Sequence, residues 1–123
     1  LTGYGIKAIQ ASNRLINSRG ERYRNIFFRK KNNLFWIPRN ARLDPHPDYN
    51  YYFQHCILGI DRAFSLNMPA IIDFHRVNFS GRFNRNYRDK SLIELDKVFK
   101  SVKERWPNTK FISTSELIRL CLT

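Results

Sequence analysis

The run Pro69-Ala70-Ile71-Ile72-Asp73-Phe74-His75 is almost continuously apolar and lies between two stretches of helical period. After a helix, such a run suits a short strand buried on both faces of a parallel sheet, because crossover helices cover both sides of that sheet. Before it, Phe53, Cys56, Ile57, Ile60, Ala63 and Phe64 recur on one helix face, with Gln54, Asp61 and Arg62 opposite. Asp48 is the expected N-cap of this helix over residues 48–66, and Asn67, followed by Pro69, its expected stop. After the run, Leu92, Leu95, Val98, Phe99, Val102 and Trp106 form a second amphipathic face. Ser91 and Glu94 have the spacing of a capping box at its start, and Trp106-Pro107-Asn108 ends it. Residues 110–112 read as another short strand, and Ser113 with Glu116 repeats the capping-box spacing before a helix over 117–122. This alternation predicts an α/β fold with parallel strands.

The first half is less regular. Residues 6–10 read as a strand entered through Gly3 and Gly5, and the polar, basic stretch 11–22 as a loop. Two aromatic-rich runs, 23–31 and 34–37, are separated by Asn32-Asn33, a pair that tolerates left-handed turns and so predicts a hairpin. Pro38, Pro45 and Pro47 predict a rigid surface segment without regular structure over 38–48. Residues 77–87, polar, aromatic and basic, read as a loop. A lone three-strand parallel piece leaves edges and one sheet face uncovered. The pattern therefore predicts that an N-terminal portion of the same domain supplies further strands, in keeping with a chain that opens on leucine. At 123 residues the chain is at most one domain. No apolar run approaches the roughly 18 residues of a membrane span. No signal peptide is visible, and the compartment is undetermined.

Charge narrows the classes of partner. Lys and Arg number 22 against 10 Asp and Glu, a formal charge of +12. Before Asp44, ten basic residues face Glu21 alone. A second basic cluster comprises Arg76, Arg82, Arg85, Arg88 and Lys90. Such a balance points to nucleic acid, an acidic membrane surface or an anionic polymer, or to the basic half of a protein whose acids lie elsewhere. Arg22, Tyr23, Arg24, Phe27, Phe28, Arg29, Lys30, Lys31, Phe35 and Trp36 interleave charge and rings, a pattern that binds phosphates and stacks bases. Core packing uses the same aromatics, and no RNP-like, KH-like or helix-turn-helix signature accompanies them. Cys56 and Cys121 fall within helix-like apolar patterns, where free cysteine fills a core; a disulfide or a reactive thiol is the other reading.

In parallel α/β folds working residues gather where strands end. His75 closes the apolar run and can exchange a proton near neutral pH, with Arg76 and Asn78 beside it to bind substrate oxygens. The other reading is a histidine that caps the strand through backbone hydrogen bonds. Arg39, Asn40 and Asp44, on the proline-stiffened segment, form a second constellation suited to gripping sugar hydroxyls. Its alternative is a loop tied down by an Arg39–Asp44 pair. Asp73 is costly to bury alone and either pairs with an arginine or contacts the site. His46, His55 and His75 match no compact metal-ligand spacing.

The segment from Pro69 to Phe79 resembles the last catalytic segment of polysaccharide deacetylases, the NodB-type carbohydrate esterase superfamily, where an apolar strand ends in a histidine. The tail is similar too, with Arg88, a helix, Trp106-Pro107, Phe111 and Ser115-Glu116-Leu117, as is the upstream Arg39-Asn40-Ala41-Arg42-Leu43-Asp44-Pro45. The resemblance runs from about Gly5 to Leu122. It implies the C-terminal part of a distorted (β/α) barrel that acts on acetylated carbohydrate. It further implies a divalent metal such as zinc held by one Asp and two His, an aspartate base that activates the metal-bound water, and a strand-end histidine, here His75, that protonates the leaving group. The Asp-Asp segment and the His-rich metal motif have no counterpart in this chain, nor does Pro38-Arg39-Asn40 reproduce the usual Arg-x-Pro segment. The resemblance thus implies that the metal belongs to a longer polypeptide and that these residues alone are inactive. The competing function is a non-catalytic basic module for nucleic acid or an anionic glycan.

Overall fold

A computed structural model describes residues 2–12, 14–24, 28–44, 52–82 and 84–123. The chain divides into two compact units, Leu1–Arg39 with Lys110–Thr123, and Asn40–Thr109.

In the first unit, a 3-10 turn over Thr2–Tyr4 precedes β1 (Ala8–Ser12), β2 (Arg14–Ile16), β3 (Arg22–Arg24), β4 (Arg29–Lys31) and β5 (Leu34–Arg39). β5 lies between β1, to which it is parallel, and β4, to which it is antiparallel. The β4–β5 hairpin turns at Asn32 and Asn33, both left-handed at φ 52° and 57°, as their sequence predicts. β2 and β3 form a separate antiparallel hairpin, with β2 and the turn inside the stretch 11–22 expected to be a loop and β3 running on into the aromatic run 23–31. Its turn is built by Asn17, whose Oδ1 accepts from the backbone N–H of Arg19 and Glu21 (both 2.9 Å), with Gly20 left-handed behind it. Polarity concealed these strands because both are narrow and exposed. β5 runs through Pro38, whose missing N–H is tolerated within the strand, so Pro38 does not end it. The last helix of the chain, α4 (Thr114–Leu122), packs no fully buried residue. Its N-cap is the expected Ser113, which accepts from Glu116 N–H at 3.1 Å. Residues 110–112 form no strand.

The second unit contains β6 (Ala41–Arg42), α1 (Tyr52–Ser65), β7 (Ile72–Asp73), α2 (Val77–Ser80) and α3 (Arg85–Arg105). α1 buries the predicted face, with Cys56, Ile57, Ile60 and Ala63 inside and Phe53 and Phe64 half-buried. It ends as its sequence predicts. Asn67 is left-handed, its N–H reaches Phe64 O, and Met68 N–H reaches Ala63 O at 2.9 Å, a Schellman cap. Asp48, the expected start of α1, lies outside the described residues. α3 begins six residues earlier than Ser91, at an N-cap supplied by Asn84, which accepts from Tyr87 N–H. Ser91 is therefore mid-helix and buried. Val98 and Val102 from α3 join Ala41, Leu43, Cys56, Ile57 and Ile60 in one core, closed by an edge-on Phe64–Trp106 contact with ring centroids 5.1 Å apart. Each buried aliphatic side chain contributes about 1.5–3 kcal/mol.

The expected distorted (β/α) barrel of parallel strands is not what forms. The described residues make a small mixed α/β protein with four α-helices and short strands in three separate sheets, and no closed barrel among them. A (β/α) barrel needs a helix between successive parallel strands. Here β1 and β5 are parallel but connected through the extra hairpin and β4, with no helix among the described residues between them. Among the described residues the apolar run 69–75 forms a strand over Ile72–Asp73 alone, and these two are half-buried rather than buried on both faces. Periodicity reports how apolar a run is, not how many partners it finds. None of the described helices is long and apolar enough to cross a membrane.

Candidate functional site: a carboxylate-held histidine

β6 and β7 pair in parallel, with Ala41 opposite Ile72 and Arg42 opposite Asp73. Ala41 N–H donates to Ile71 O (3.1 Å) and Leu43 N–H to Asp73 O (2.8 Å). Continuing that register by two residues sets Asp44 beside His75, at the ends of two strands pointing the same way. Asn40 anchors the start of the ladder. Its amide donates to Pro69 O (3.0 Å) and accepts from Ile71 N–H (2.7 Å), so the side chain expected to bind substrate is engaged by backbone.

His75 Nδ1 lies 2.9 Å from Asp44 Oδ1. The same carboxylate accepts from Asn78 Nδ2 on Oδ1 (2.7 Å) and from the Arg42 guanidinium on Oδ2 (2.6 Å). Asn78 is positioned by α2, which starts just beyond the histidine; its own N–H donates to His75 O at 3.0 Å. It is buried, whereas the His75 side chain is 64% exposed and that of Asp44 19%. Burial works against the charged form of Asp44. Hydrogen bonds from Arg42, His75 and Asn78, with the charge of His75, outweigh it and hold the carboxyl at about 2, against an ordinary 3.8. An ionised carboxylate only accepts, so Nδ1 carries a proton and Nε2 is the ring nitrogen left to give or take one. Nε2 has no hydrogen-bond partner among the described residues, and the exposed ring is open to an incoming group.

One tyrosine, Tyr87, lies close enough to feel the carboxylate. Burial first, then the charges of Asp44 and Tyr52, push the Tyr87 phenol above its ordinary value. Arg42, Tyr52 and Tyr87 carry no motif that singles them out in sequence; only the Arg42-x-Asp44 alternation on one strand side hints at the guanidinium–carboxylate contact.

Of the other expected residues, Arg76 is exposed at the N-cap of α2. Arg39 lies in β5 opposite Ser12 and belongs to the first unit, whereas Asn40, Asp44, His75, Arg76 and Asn78 belong to the second. Asp73 sits across the ladder from Arg42. His55 is exposed on α1, and His46 lies outside the described residues. No group of three or more His, Cys, Asp or Glu that could hold a metal occurs among the described residues. Both described cysteines are free. Cys56 is buried, which pushes its thiol up to about 12, while Cys121, expected to fill a core, is exposed. Comparisons with protein-family models, curated proteins and solved structures found no match for this chain.

Proposed function

We propose that the unit Asn40–Thr109 carries the proton-transfer half of a hydrolytic site for acetylated carbohydrate, with His75 as general acid and Asp44 as the residue that positions it. The observation behind this reading is the 2.9 Å Asp44–His75 contact at two parallel strand ends, with the rest of the ring exposed. The substrate class rests on the resemblance of residues 69–79 and the tail to polysaccharide deacetylases. His75, charged, gives its Nε2 proton to the departing amine or alkoxide as the bond to the acyl carbon breaks. Asp44 holds the ring by Nδ1–H and stabilises the imidazolium, and Arg42 and Asn78 keep Asp44 ionised so that it does not take the proton itself. Arg76, exposed at the next residue, binds substrate oxygens. The described residues do not fit the metal site of that family, and no step here runs through a metal.

The test is acetate release from N- and O-acetylated oligosaccharides by the natural polypeptide that contains these residues. His75→Ala lowers turnover about 100-fold or more. Asp44→Asn lowers it less and displaces the alkaline limb of the pH profile, where a general acid loses its proton. Unchanged turnover in His75→Ala removes the histidine from the chemistry, and no acetate release by the wild type removes the substrate class.

A further inference from the structure

We infer that the β2–β3 hairpin of the first unit is a binding face for the phosphodiester backbone of single-stranded nucleic acid. This unit has eleven basic residues against two acidic ones, Glu21 and Glu116, and so carries nine of the chain's twelve net positive charges. Within the hairpin the charge is arranged rather than scattered. Arg14 lies directly opposite Arg24, and Ile16 opposite Arg22. Directly opposed residues share a face, as do residues two apart along a strand, so Arg14, Arg22 and Arg24 all stand on one face. All three are exposed, and none has an ion-pair partner among the described residues. The nearby Glu21 carboxylate is occupied by the Asn17 amide at 2.6 Å.

Like charges directly opposite one another destabilise a two-stranded ladder. A short exposed hairpin with little apolar burial has few means of offsetting that repulsion, and an anion between the guanidiniums removes it. A phosphodiester has two non-bridging oxygens, one for each of the opposed Arg14 and Arg24 forks. Arg22 and Arg24 are spaced about 7 Å apart along β3, a separation suited to successive phosphates of an extended strand. Tyr23, between them, is 43% exposed on the opposite face of this two-stranded ribbon, where a base that folds over the outer edge of β3 stacks on its ring. The ring favours nucleic acid over a sulfated or uronic glycan, which presents no planar base.

The experiment measures anisotropy of a fluorescein-labelled oligothymidylate of about 20 nucleotides with the full chain across a salt series. Arg14→Glu and Arg24→Glu are made singly. Each converts the repulsive cross-strand pair into an opposite-charge pair, so the hairpin keeps or gains stability while the anion site is abolished. The proposal expects salt-dependent binding by the wild type. Each variant binds about ten-fold or more weakly and shows a shallower salt slope, by about 0.7 for each phosphate no longer neutralised, with an undiminished melting temperature. Unaltered affinity in both variants overturns it, as does tighter binding of a heparin fragment of equal charge than of the oligothymidylate.

Discussion

Gly59→Ala tests how closely α1 approaches the strand that leads to Asp44. Gly59 is in the interior of α1, where alanine is intrinsically preferred over glycine by about 1 kcal/mol. Helix propensity alone therefore predicts a more stable protein. The tertiary structure predicts the opposite. A Cβ at this position meets Asn40 O at 2.5 Å, Ala41 Cα at 2.9 Å and Ala41 Cβ at 3.3 Å, whereas ordinary contact begins at 3.4 Å. The first two atoms are backbone and cannot swing away, so helix and strand must separate by about 0.9 Å, the shortfall at Asn40 O. A gap of that size forfeits a quarter to a half of the dispersion attraction across it, and overpacking of this kind costs about 1–3 kcal/mol. After the propensity gain of about 1 kcal/mol, the net loss runs from near zero to about 2 kcal/mol, centred on about 1 kcal/mol, which is roughly 4–8 °C in melting temperature. Circular dichroism at the helix band on thermal and urea unfolding reads it, with Gly3→Ala as the control because nothing lies within 4 Å of a Cβ there. Gly59→Ala more stable than wild type by the full propensity gain of about 1 kcal/mol would refute the close helix–strand approach.

Three further outcomes follow from other parts of the molecule. Because the Asp44 carboxyl is held at about 2 against an ordinary 3.8, its stabilisation is present above pH 3.8 and lost as pH falls towards 2. The separation corresponds to about 2 kcal/mol, reduced to about 1 kcal/mol by solvent screening around the exposed Arg42 and His75; the urea-midpoint gap between wild type and Asp44→Asn narrows between about pH 6 and about pH 2.5, and a constant gap contradicts the assignment. Asn40→Ala strands Pro69 O and Ile71 N–H and lowers stability by about 1–3 kcal/mol, measured by urea unfolding; a neutral effect means the amide does not anchor the β6–β7 ladder. In a thiol-titration assay on native protein at about pH 8, the exposed Cys121 reacts at once and the buried Cys56 only on unfolding, whereas two fast thiols are inconsistent with the packing of α1.

Where local chemistry decides the structure, the chain can be read directly. The Asn32-Asn33 turn, the buried face of α1 and its Asn67 cap, and Ser113 at the start of α4 each depend on residues within one or two turns of one another. Where two local solutions compete, it cannot. Ser91 and Asn84 both have cap chemistry, and the helix starts at Asn84, leaving Ser91 in its buried interior. His75 was legible as the residue closing an apolar run, because a strand-end histidine stands out by position alone. Its environment was not.

The residues by themselves determined that there would be amphipathic helices, that a short apolar segment would end at His75, and that strong positive charge would crowd the first third. Only the tertiary structure decided that this segment pairs over two residues instead of building a barrel, and that Asp44 is the group that grips the imidazole. The reason is physical. A helix face or a turn is specified by interactions between near neighbours in the chain, but strand pairing joins Arg42 to Asp73 and Asp44 to His75 across 31 residues. Nothing in a one-dimensional pattern states which distant backbone will satisfy a strand's hydrogen bonds.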